Sequence, residues 1–597
     1  MTHVTSTAET GELQFRRVDV DCLHRADGTI LLRTKVPFAC GRALVHDYLG
    51  AAARTAPEKV FLAEREPNGQ GWRTITYGAA YDRTQRIAGF LLEHLREPRR
   101  PIIILSGNSI AHQLIALGAM TAGIPYAPVS VAYSTLSSDF GRLRHILEVL
   151  DPGLIFVEDS APFSRALSMP EMEGRTIVIG GGIGPAGALR FDDLVASASI
   201  GRRPELTPDT VAKILFTSGS TGTPKGVPTT HRMMCASLDQ IELLWPFMAR
   251  HSPVILDWLP WSHVFGGSYA VNTVLRYAGT LFIDDGKPTL TDISKTVRNI
   301  GDVRPTLYWN VPKGYELLAA ALRADRKTAA SFFDRLSLMF YAGASLSPGV
   351  WNDLVSLAHD VAGRSIPMTT SWGLTETAPS ITIVNSDRLA PGNIGVPMPG
   401  LEVKMVPLQG KYEARVRGPT VMKGYLRATD ATSAAFDEEG FFRTGDAIRL
   451  ADAADAAQGV MFDGRVAEDF KLTTGTWVDA AAIRIRALQA VVGHAMDVVV
   501  TGEDRQDIGL LILPLPGRVV DAAYRERLMQ ALSGINAGVA GASQRIARAV
   551  ILKDPPTFDG GEITEKGSLN ARLIRQRRRD LIERLHAELD DEIIRLG

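Results

Sequence analysis

Short apolar runs alternate with segments of helical periodicity along most of the chain. RPIIILSGNS predicts a strand ending in a turn, SIAHQLIALGAMTAG a helix, and IPYAPVS a return to extended chain. The same kind of apolar run recurs in GLIFVED, TIVIGGG, AKILFTSGS, SPVILDWLP and LSLMFYAGAS. Buried strands that alternate with helices indicate an α/β fold with parallel sheets covered by helices on both faces.

The pattern changes near Asp463. Before it lie short mixed β segments such as LEVKMVP and EARVRG, which predict a β subdomain. After it, DVVVTG, IGLLILPLP and ARAVILKD alternate with helical segments in a stretch of ordinary domain size. We therefore predict a large N-terminal domain, 1–463, with 1–43 as an extension, and a small mobile C-terminal α/β domain, 464–597. The tail from Leu569 to Leu596 predicts one helix, with an apolar stripe at Ile574, Leu581, Leu585, Leu589 and Ile593.

Composition narrows the class of protein. The 597 residues are 45% hydrophobic and 22% charged, and 65 basic residues balance 66 acidic ones, which argues against a nucleic-acid-coating protein. Three scattered cysteines build neither a disulfide framework nor a zinc site. The N-terminus has no secretory signal pattern, and the most apolar window, Pro101–Ala122, is too polar to span a membrane. We expect a cytoplasmic protein without a membrane span.

The strongest chemical signal is the string from Phe216 to Gly226, which follows the apolar run AKIL. Glycines allow a tight turn whose N–H groups point at an anion, hydroxyl groups add donors, and a lysine adds a mobile positive charge. The spacing is not that of a Walker P-loop. The string predicts a polyphosphate-binding loop built from Thr217, Ser218, Gly219, Ser220, Thr221, Gly222 and Lys225.

With this loop, the chain resembles the adenylate-forming enzymes, which include acyl- and aryl-CoA synthetases, firefly luciferase and peptide-synthetase adenylation domains. The resemblance covers nearly the whole chain. Further motifs follow the loop in the family's order: Leu259–His263, Tyr341–Ser345, Thr370–Glu376, Arg443–Asp446 and Gly464–Arg465.

The resemblance implies a role for each motif. Ser371, Trp372 and Gly373 belong to the nucleotide motif, in which the indole stacks on adenine. Thr375 bonds the α-phosphate and Glu376 holds Mg²⁺, a cation that prefers carboxylate and phosphate oxygens. The other implied roles are the adenine pocket for Gly343, Ala344 and Ser345, the ribose hydroxyls for Asp446, a nucleotide contact for Arg465, and orientation of the substrate carboxylate for His263.

Six aromatic residues lie in and around the His263 motif and farther along the chain, and we expect them to cluster near His263 in an acyl pocket. They suit a flat aryl acid better than a flexible alkyl chain, although ordinary core packing is the alternative. The segment from Glu468 to Val478 resembles the post-hinge segment of long-chain acyl-CoA synthetases and, more closely, that of feruloyl-CoA synthases. The closer resemblance implies ferulate or a related hydroxycinnamate, with either Glu468 or Asp469 as the hinge. The aromatic set is Trp258, Trp261, Phe265, Tyr269, Tyr308 and Trp309.

The chain departs from the family at the adenylation lysine, which normally follows a glycine. Here that slot reads Gly567–Ser568, and we assign the role to Lys566. The resemblance implies that ATP and an acid form an acyl-adenylate, that the C-terminal domain rotates, and that CoA then takes the acyl group. The alternatives are a medium- or long-chain fatty acyl-CoA synthetase, a carrier-protein-loading enzyme, and a catalytically silent nucleotide-binding relative. A homodimer is left open.

Overall fold

The computed structural model describes residues 13–95, 100–217, 223–386, 391–515, 517–539, 541–564, 567–589 and 592–596. The strands are β1 Val20–His24, β2 Ile30–Thr34, β3 Val60–Arg65, β4 Trp72–Thr76, β5 Ile102–Ile104, β6 Tyr126–Pro128, β7 Leu154–Asp159, β8 Thr176–Gly181, β9 Leu189–Arg190, β10 Val211–Thr217, β11 Lys225–Thr230, β12 Val254–Asp257, β13 Thr280–Ile283, β14 Leu307–Asn310, β15 Leu338–Tyr341, β16 Met368–Gly373, β17 Ser380–Ile383, β18 Asn393–Pro397, β19 Glu402–Leu408, β20 Lys411–Arg417, β21 Phe442–Leu450, β22 Val460–Arg465, β23 Phe470–Lys471, β24 Trp477–Val478, β25 Ala495–Thr501, β26 Ile508–Pro514, β27 Ile546–Ile551 and β28 Ile594–Arg595.

The α-helices are α1 Val45–Thr55, α2 Tyr77–His94, α3 Ile110–Ala122, α4 Ala132–Thr135, α5 Gly141–Leu150, α6 Ser164–Leu167, α7 Phe191–Ala196, α8 His231–Leu244, α9 Val271–Arg276, α10 Ile293–Val303, α11 Pro312–Ala324, α12 Arg326–Asp334, α13 Pro348–Ala362, α14 Thr429–Ala435, α15 Ala480–Ala490, α16 Ala522–Leu532, α17 Ala571–Arg577 and α18 Arg579–Ala587. A π-helical stretch covers Phe265–Ala270, and short 3₁₀ turns cover Pro170–Met172, Pro246–Arg250, Thr375–Thr377 and Ala456–Gln458. No helix among the described residues combines the length and the apolar character needed to cross a membrane.

Two large sheets form the N-terminal part. The first runs β11-β10-β6-β5-β7-β8-β9 and is parallel apart from the β10–β11 hairpin. The second contains the parallel strands β3, β13, β12, β14, β15 and β16 and continues through antiparallel strands into a β subdomain. A large domain of mostly parallel sheets flanked by helices, followed by a smaller C-terminal α/β domain, confirms the predicted fold class.

Helix α3 shows why the alternating pattern gives this fold. Its first turn is capped by Ser109, whose hydroxyl accepts from the His112 amide at 3.0 Å, and it ends at Gly123 with φ 70°. Every residue of the helix except Ala111 is buried. The preceding strand β5 is fully buried as well, so the apolar centre of RPIIILSGNS and the helix after it both belong to the covered core.

The C-terminal part contains the sheet β25-β26-β27-β28 with helices α15 to α18. The prediction of one helix from Leu569 to Leu596 is wrong. The helix breaks at Arg578, and α18 ends at Glu588, which has φ 55°. After it the chain turns to pair β28 with β27, which buries Ile593 and Ile594 while Leu589 is exposed. The domain boundary at 463–464 stays a prediction.

Candidate active site

The predicted phosphate loop connects the two strands of a hairpin. Thr217 ends β10, Lys225 begins β11, and their Cα atoms are paired across the hairpin. The intervening Ser218, Gly219, Ser220, Thr221 and Gly222 lie outside the described residues. On the far side of the loop, the ring N–H of His145 donates to the Pro224 carbonyl at 3.0 Å. The hairpin register therefore fixes both ends of the predicted loop, and helix α5 holds one of them.

Lys225 and Glu376 meet at one tyrosine. The Tyr425 hydroxyl donates to Glu376 Oε1 at 2.9 Å, and Lys225 Nζ lies 5.1 Å from the centroid of the same ring. Burial and the nearby Glu376 carboxylate raise the pKa of Tyr425, so its hydroxyl remains a donor at neutral pH. The arrangement sets a cation and a buried carboxylate on two sides of a single ring, next to the predicted phosphate loop.

The residues around Glu376 are fixed by the end of β16. The chain turns after Gly373, where an added Cβ would lie 1.8 Å from the Pro379 carbonyl oxygen, so only glycine fits. Thr375 and Glu376 then begin a short 3₁₀ turn, in which Thr375 is half-buried and Glu376 is 8% exposed. The sheet thus presents both predicted residues at its carboxyl edge, where parallel α/β sheets bind ligands.

Trp372 and Asp446 form a direct pair. The Trp372 indole Nε1 donates to Asp446 Oδ2 at 2.9 Å, and Arg465 Nε lies 3.5 Å from Oδ1. The strand register explains the second contact, because the Cα atoms of Asp446 on β21 and Arg465 on β22 are partners. Burial raises the pKa of Asp446, while Arg465 and the indole N–H act in the opposite direction. Asp446 is 4% exposed, so these two neighbours are what keep a carboxylate at this depth.

The predicted adenine stretch lies beside this pair. Strands β15 and β16 are parallel neighbours, and the Thr370 hydroxyl donates to the Tyr341 carbonyl at 2.7 Å. Gly343, Ala344 and Ser345 follow β15 and are exposed, whereas Ser371 is buried and accepts a bond from the Ser380 hydroxyl at 3.2 Å. The motifs 341–345 and 370–376 therefore share one edge of the sheet.

His263 stands at the entry of the π-helical stretch. The Asn108 side chain clamps the segment before it, donating to the Leu259 carbonyl at 2.8 Å and accepting from the Trp261 amide at 2.9 Å. The Gly267 amide donates to the His263 carbonyl at 2.8 Å. π-helical turns are rare and recur at functional sites. Hydrogen bonds thus fix the backbone before and after His263, whose imidazole is half-buried.

The predicted aromatic set is divided by β14. Tyr269 lies 4.8 Å from Trp309 and stacks on Phe340, with Phe265 at the edge of the same group. Tyr308 lies on the other face with Tyr315 and Phe332, because successive strand residues point to opposite faces. The expectation that all six aromatic residues form one cluster is therefore wrong for Tyr308.

The segment after the predicted boundary is held from two sides. Lys411 of β20 bonds Asp469 at 2.8 Å and Asp479 at 3.4 Å, and it donates to the Asp463 carbonyl at 2.8 Å. Arg575 donates to the Glu468 carbonyl at 3.3 Å. The side chain of Asp469 and the backbone of Glu468 are both anchored, so the choice of hinge residue stays open.

Comparison with known proteins identifies the family of the chain. A family model described as AMP-binding enzyme matches residues 49–426. The chain belongs to the AMP-binding enzyme family. It is similar to long-chain-fatty-acid–CoA ligase 2 of Schizosaccharomyces pombe, with 29% identity over 311 residues, which are 44% of this chain and 45% of the relative. The chain thus matches less than half the length of that relative.

Solved structures match the fold of this AMP-binding enzyme over most of its length. The anthranilate CoA ligase AuaEII in complex with anthranoyl-AMP gives a TM-score of 0.72 at 17% identity and covers 91% of this chain and 98% of its own. ATP-bound MatB from Rhodopseudomonas palustris gives 0.69 at 21% identity, with 90% of this chain and 100% of its own covered. At these identities the likeness establishes the fold alone.

Lys566 of this AMP-binding enzyme lies outside the described residues, but its flanks are described. The Gly567 amide donates to the Thr564 carbonyl at 2.9 Å, and Ile563 and Leu569 form an antiparallel bridge.

Sequence reasoning missed Tyr425, His145 and Lys213. The first two act on residues 49 and 79 positions away, which no local motif signals.

Lys213 does carry a signal in the sequence, because it is the one cation within the apolar strand AKILFT. It is 1% exposed, and its Nζ donates to the Gly267 carbonyl at 2.6 Å and bonds the Ser268 hydroxyl at 2.9 Å. Burial lowers the pKa of Lys213 to about 7. The strand that leads into the predicted phosphate loop is thereby tied to the π-helical turn after His263.

Proposed function

We propose that this chain is an ATP-dependent, AMP-forming acid:CoA ligase that makes an acyl-adenylate and then an acyl-CoA thioester, with ferulate or a related hydroxycinnamate as the acid. The observation that carries the proposal is the convergence of Lys225, Tyr425 and Glu376 beside the Trp372–Asp446 pair. A cation and a buried acid suit a magnesium triphosphate, and the indole–carboxylate pair suits an adenosine.

The first half-reaction must bring a carboxylate to a triphosphate, so charge neutralisation comes first. Lys225 would pair with the phosphates, and Lys566 with the oxygens around the α-phosphorus. Glu376 fits a Mg²⁺ ligand, being a hard carboxylate whose Oε1 accepts from the Tyr425 hydroxyl. Among the described residues no group of three or more metal-binding side chains exists, which fits an ion completed by phosphate oxygens and water. When bound, Mg²⁺ would withdraw charge from the phosphates.

The nucleoside contacts follow from the same geometry. Asp446 has one oxygen fixed by the Trp372 N–H, and its other oxygen, Oδ1, is buried without a hydrogen bond from the described residues. A buried carboxylate oxygen without a donor is costly, and a ribose hydroxyl would supply the missing donor. Arg465, at 3.5 Å, would keep the carboxylate charged. His263 would orient the substrate carboxylate from the other side of the site.

The aromatic group supports a polar aryl acid. Three of its polar atoms are buried and have no hydrogen-bond partner among the described residues: Trp261 Nε1, Tyr269 Oη and Trp309 Nε1. The rings of Tyr269 and Trp309 are in contact, with their centroids 4.8 Å apart. The hydroxyl and methoxyl oxygens of a hydroxycinnamate would accept from such donors, whereas an alkyl chain would leave them unpaired.

A medium- or long-chain fatty acid is the second candidate. The named activity of the Schizosaccharomyces pombe relative, a long-chain-fatty-acid–CoA ligase, favours it. The departure at Gly567–Ser568 keeps a silent nucleotide-binding relative as the third. The cytoplasmic location stays a prediction.

Pyrophosphate release separates the three candidates. The purified chain is given ATP, Mg²⁺ and ferulate, benzoate, octanoate or palmitate in turn, with and without CoA. We expect release with ferulate and formation of feruloyl-CoA when CoA is added. Lys225→Ala should weaken ATP use, and Lys566→Ala should lower adenylation but spare thioester formation from supplied acyl-adenylate. Preference for palmitate would support the second candidate, and no release with any acid would support the third.

A further inference from the structure

The segment just before Lys566 touches the N-terminal part of the chain through Asp559. The Ser137 hydroxyl donates to Asp559 Oδ1 at 2.7 Å. The Ser138 amide and hydroxyl donate to Oδ2 at 2.9 and 2.5 Å. All three donors lie in the turn between α4 and α5, more than 400 positions away from Asp559 in the sequence. The exposed Asp559 carboxylate thus accepts three hydrogen bonds from a single turn of the N-terminal part.

Phe558 adds an apolar contact beside these bonds. The Arg142 guanidinium lies 4.7 Å from the centroid of its ring and 5.6 Å from that of Tyr133, with the two rings 6.0 Å apart. Phe558 also packs against the core cluster under the first sheet, which contains Leu143. Phe558 and Asp559 together with Tyr133, Ser137, Ser138 and Arg142 are called the 558–559 dock.

The dock lies on the helix that also holds the phosphate loop. Arg142 and His145 are three positions apart on α5, so they share one face of the helix. Arg142 contacts Phe558, and His145 donates to the Pro224 carbonyl at 3.0 Å. Helix α5 thereby connects the end of the predicted phosphate loop to the segment that precedes Lys566.

The segment is also rigid on its other side. Glu562 accepts from the Thr557 amide at 2.9 Å and from Arg578 Nε at 2.8 Å, and its carbonyl accepts from the Asn570 amide at 2.8 Å. Together with the β-bridge between Ile563 and Leu569, these bonds connect the two ends of the segment 557–570. Wherever 558–559 is held, Thr564 and Gly567, the described residues on either side of 565–566, are therefore held with it.

We propose that the 558–559 dock holds the segment 557–570 against α5 during adenylation and is in this way a positioning contact for Lys566; this rests on the proposed ligase function. Phe558 and Asp559 are positioning residues, because neither is placed against substrate. The dock suits a reversible contact. Asp559 and Ser138 remain at the solvent-exposed rim, and the bonds are polar, as in interfaces between domains that move.

The test separates the half-reactions in the full-length chain. The acid that gives the fastest ATP–pyrophosphate exchange with the wild type is used throughout, first as the free acid and then as its synthetic acyl-adenylate with CoA. We expect Asp559→Ala to lower exchange at least tenfold and to change thioester formation from the adenylate less than twofold. Ser138→Ala should act in the same direction, and adding it to Asp559→Ala should cause little further loss.

A matched control is Asp521→Ala. Asp521 caps α16 within the C-terminal part, accepting from the Tyr524 amide at 2.7 Å, and makes no contribution to the dock. It should affect both half-reactions equally if at all. Equal losses in the two half-reactions of Asp559→Ala, or unchanged exchange, would overturn the proposal. If the wild type catalyses no exchange with any acid, the ligase function itself fails, which is a different result.

Discussion

Replacing Trp372 by Phe tests the nucleoside site with a single lost donor. The substitution keeps an aromatic face but removes the N–H that bonds Asp446 Oδ2 at 2.9 Å. A hydrogen bond to a charged group contributes about 1.5–3 kcal/mol. Since about 1.4 kcal/mol is a factor of ten, kcat/KM for ATP should fall by about 10- to 100-fold. Most of the change should appear in KM, because the bond orients a binding group.

The assay is acid-dependent ATP–pyrophosphate exchange, measured with ATP and with 2′-deoxyATP over a range of pH. Burial already raises the pKa of Asp446, and the Trp372 N–H opposes that rise. Without the N–H the pKa rises further, so the carboxylate protonates sooner as pH falls. The acid limb of kcat/KM should therefore move to higher pH. The preference for ATP over 2′-deoxyATP should shrink, because a misaligned carboxylate holds the ribose hydroxyls less well.

Trp72→Phe is the matched control. Trp72 is half-buried on β4, the outermost strand of the second sheet, and its ring centroid lies 4.9 Å from that of Phe282. It should leave the ATP dependence within about twofold, since a change away from the site costs little. The assignment would be refuted if Trp372→Phe left KM for ATP, the acid limb and the 2′-deoxyATP ratio all at wild-type values.

Three further predictions concern other parts of the site. Burial lowers the pKa of Lys213 in the folded chain to about 7. Between pH 10 and pH 7 the unfolded chain therefore binds more protons than the folded chain, and the free energy of unfolding falls as the pH drops. Lys213→Met should remove up to about 4 kcal/mol of this pH dependence, measured by chemical unfolding at both pH values. Tyr425→Phe keeps the ring beside Lys225 but removes the 2.9 Å bond to the carboxylate, and should raise the Mg²⁺ concentration for half-maximal exchange about three- to tenfold; an unchanged Mg²⁺ curve contradicts it. Gly267→Ala would place a Cβ 2.1 Å from a backbone oxygen and should cost about 2 kcal/mol or more, whereas Gly349→Ala, with no atom within 4 Å, should be near neutral in thermal unfolding.

The sequence was sufficient for the elements that depend on local pattern. AKILFTSGS contains β10, and SIAHQLIALGAMTAG contains α3, because one-sided or complete burial leaves a periodic trace in the residues themselves. The order of strands in the sheets left no such trace. Strand β3 pairs with β13, more than 200 residues later, and no nearby residue indicates that partner.

The candidate site likewise combines residues that lie in local motifs with residues that only long-range contacts reveal. The structure brings the motif residues Trp372 and Asp446 within hydrogen-bond distance across 74 positions, while their role in nucleotide binding stays a prediction. The sequence does not single out Tyr425, because this tyrosine contacts Lys225 and Glu376 from a position outside both of their motifs. The tail was misread for the opposite reason. Spacing of four residues favours a helix locally, but pairing of β28 with β27 buries Ile594 better than another helical turn would.

The contacts of residues 464–597 with the rest of the chain differ in kind from those inside each part. Within the sheets, strands such as β5 are buried on both faces, and separating them would expose apolar surface. Between the parts, the Lys411–Asp469 pair and the Asp559 bonds are polar, and Asp559 is exposed. Water replaces such bonds at a net cost of about 1 kcal/mol each, far below the cost of opening a core. The predicted reorientation of the C-terminal part would therefore exchange these polar contacts and the packing of Phe558 against the N-terminal core, while the β10–β11 hairpin and the Trp372–Asp446 pair would stay in place.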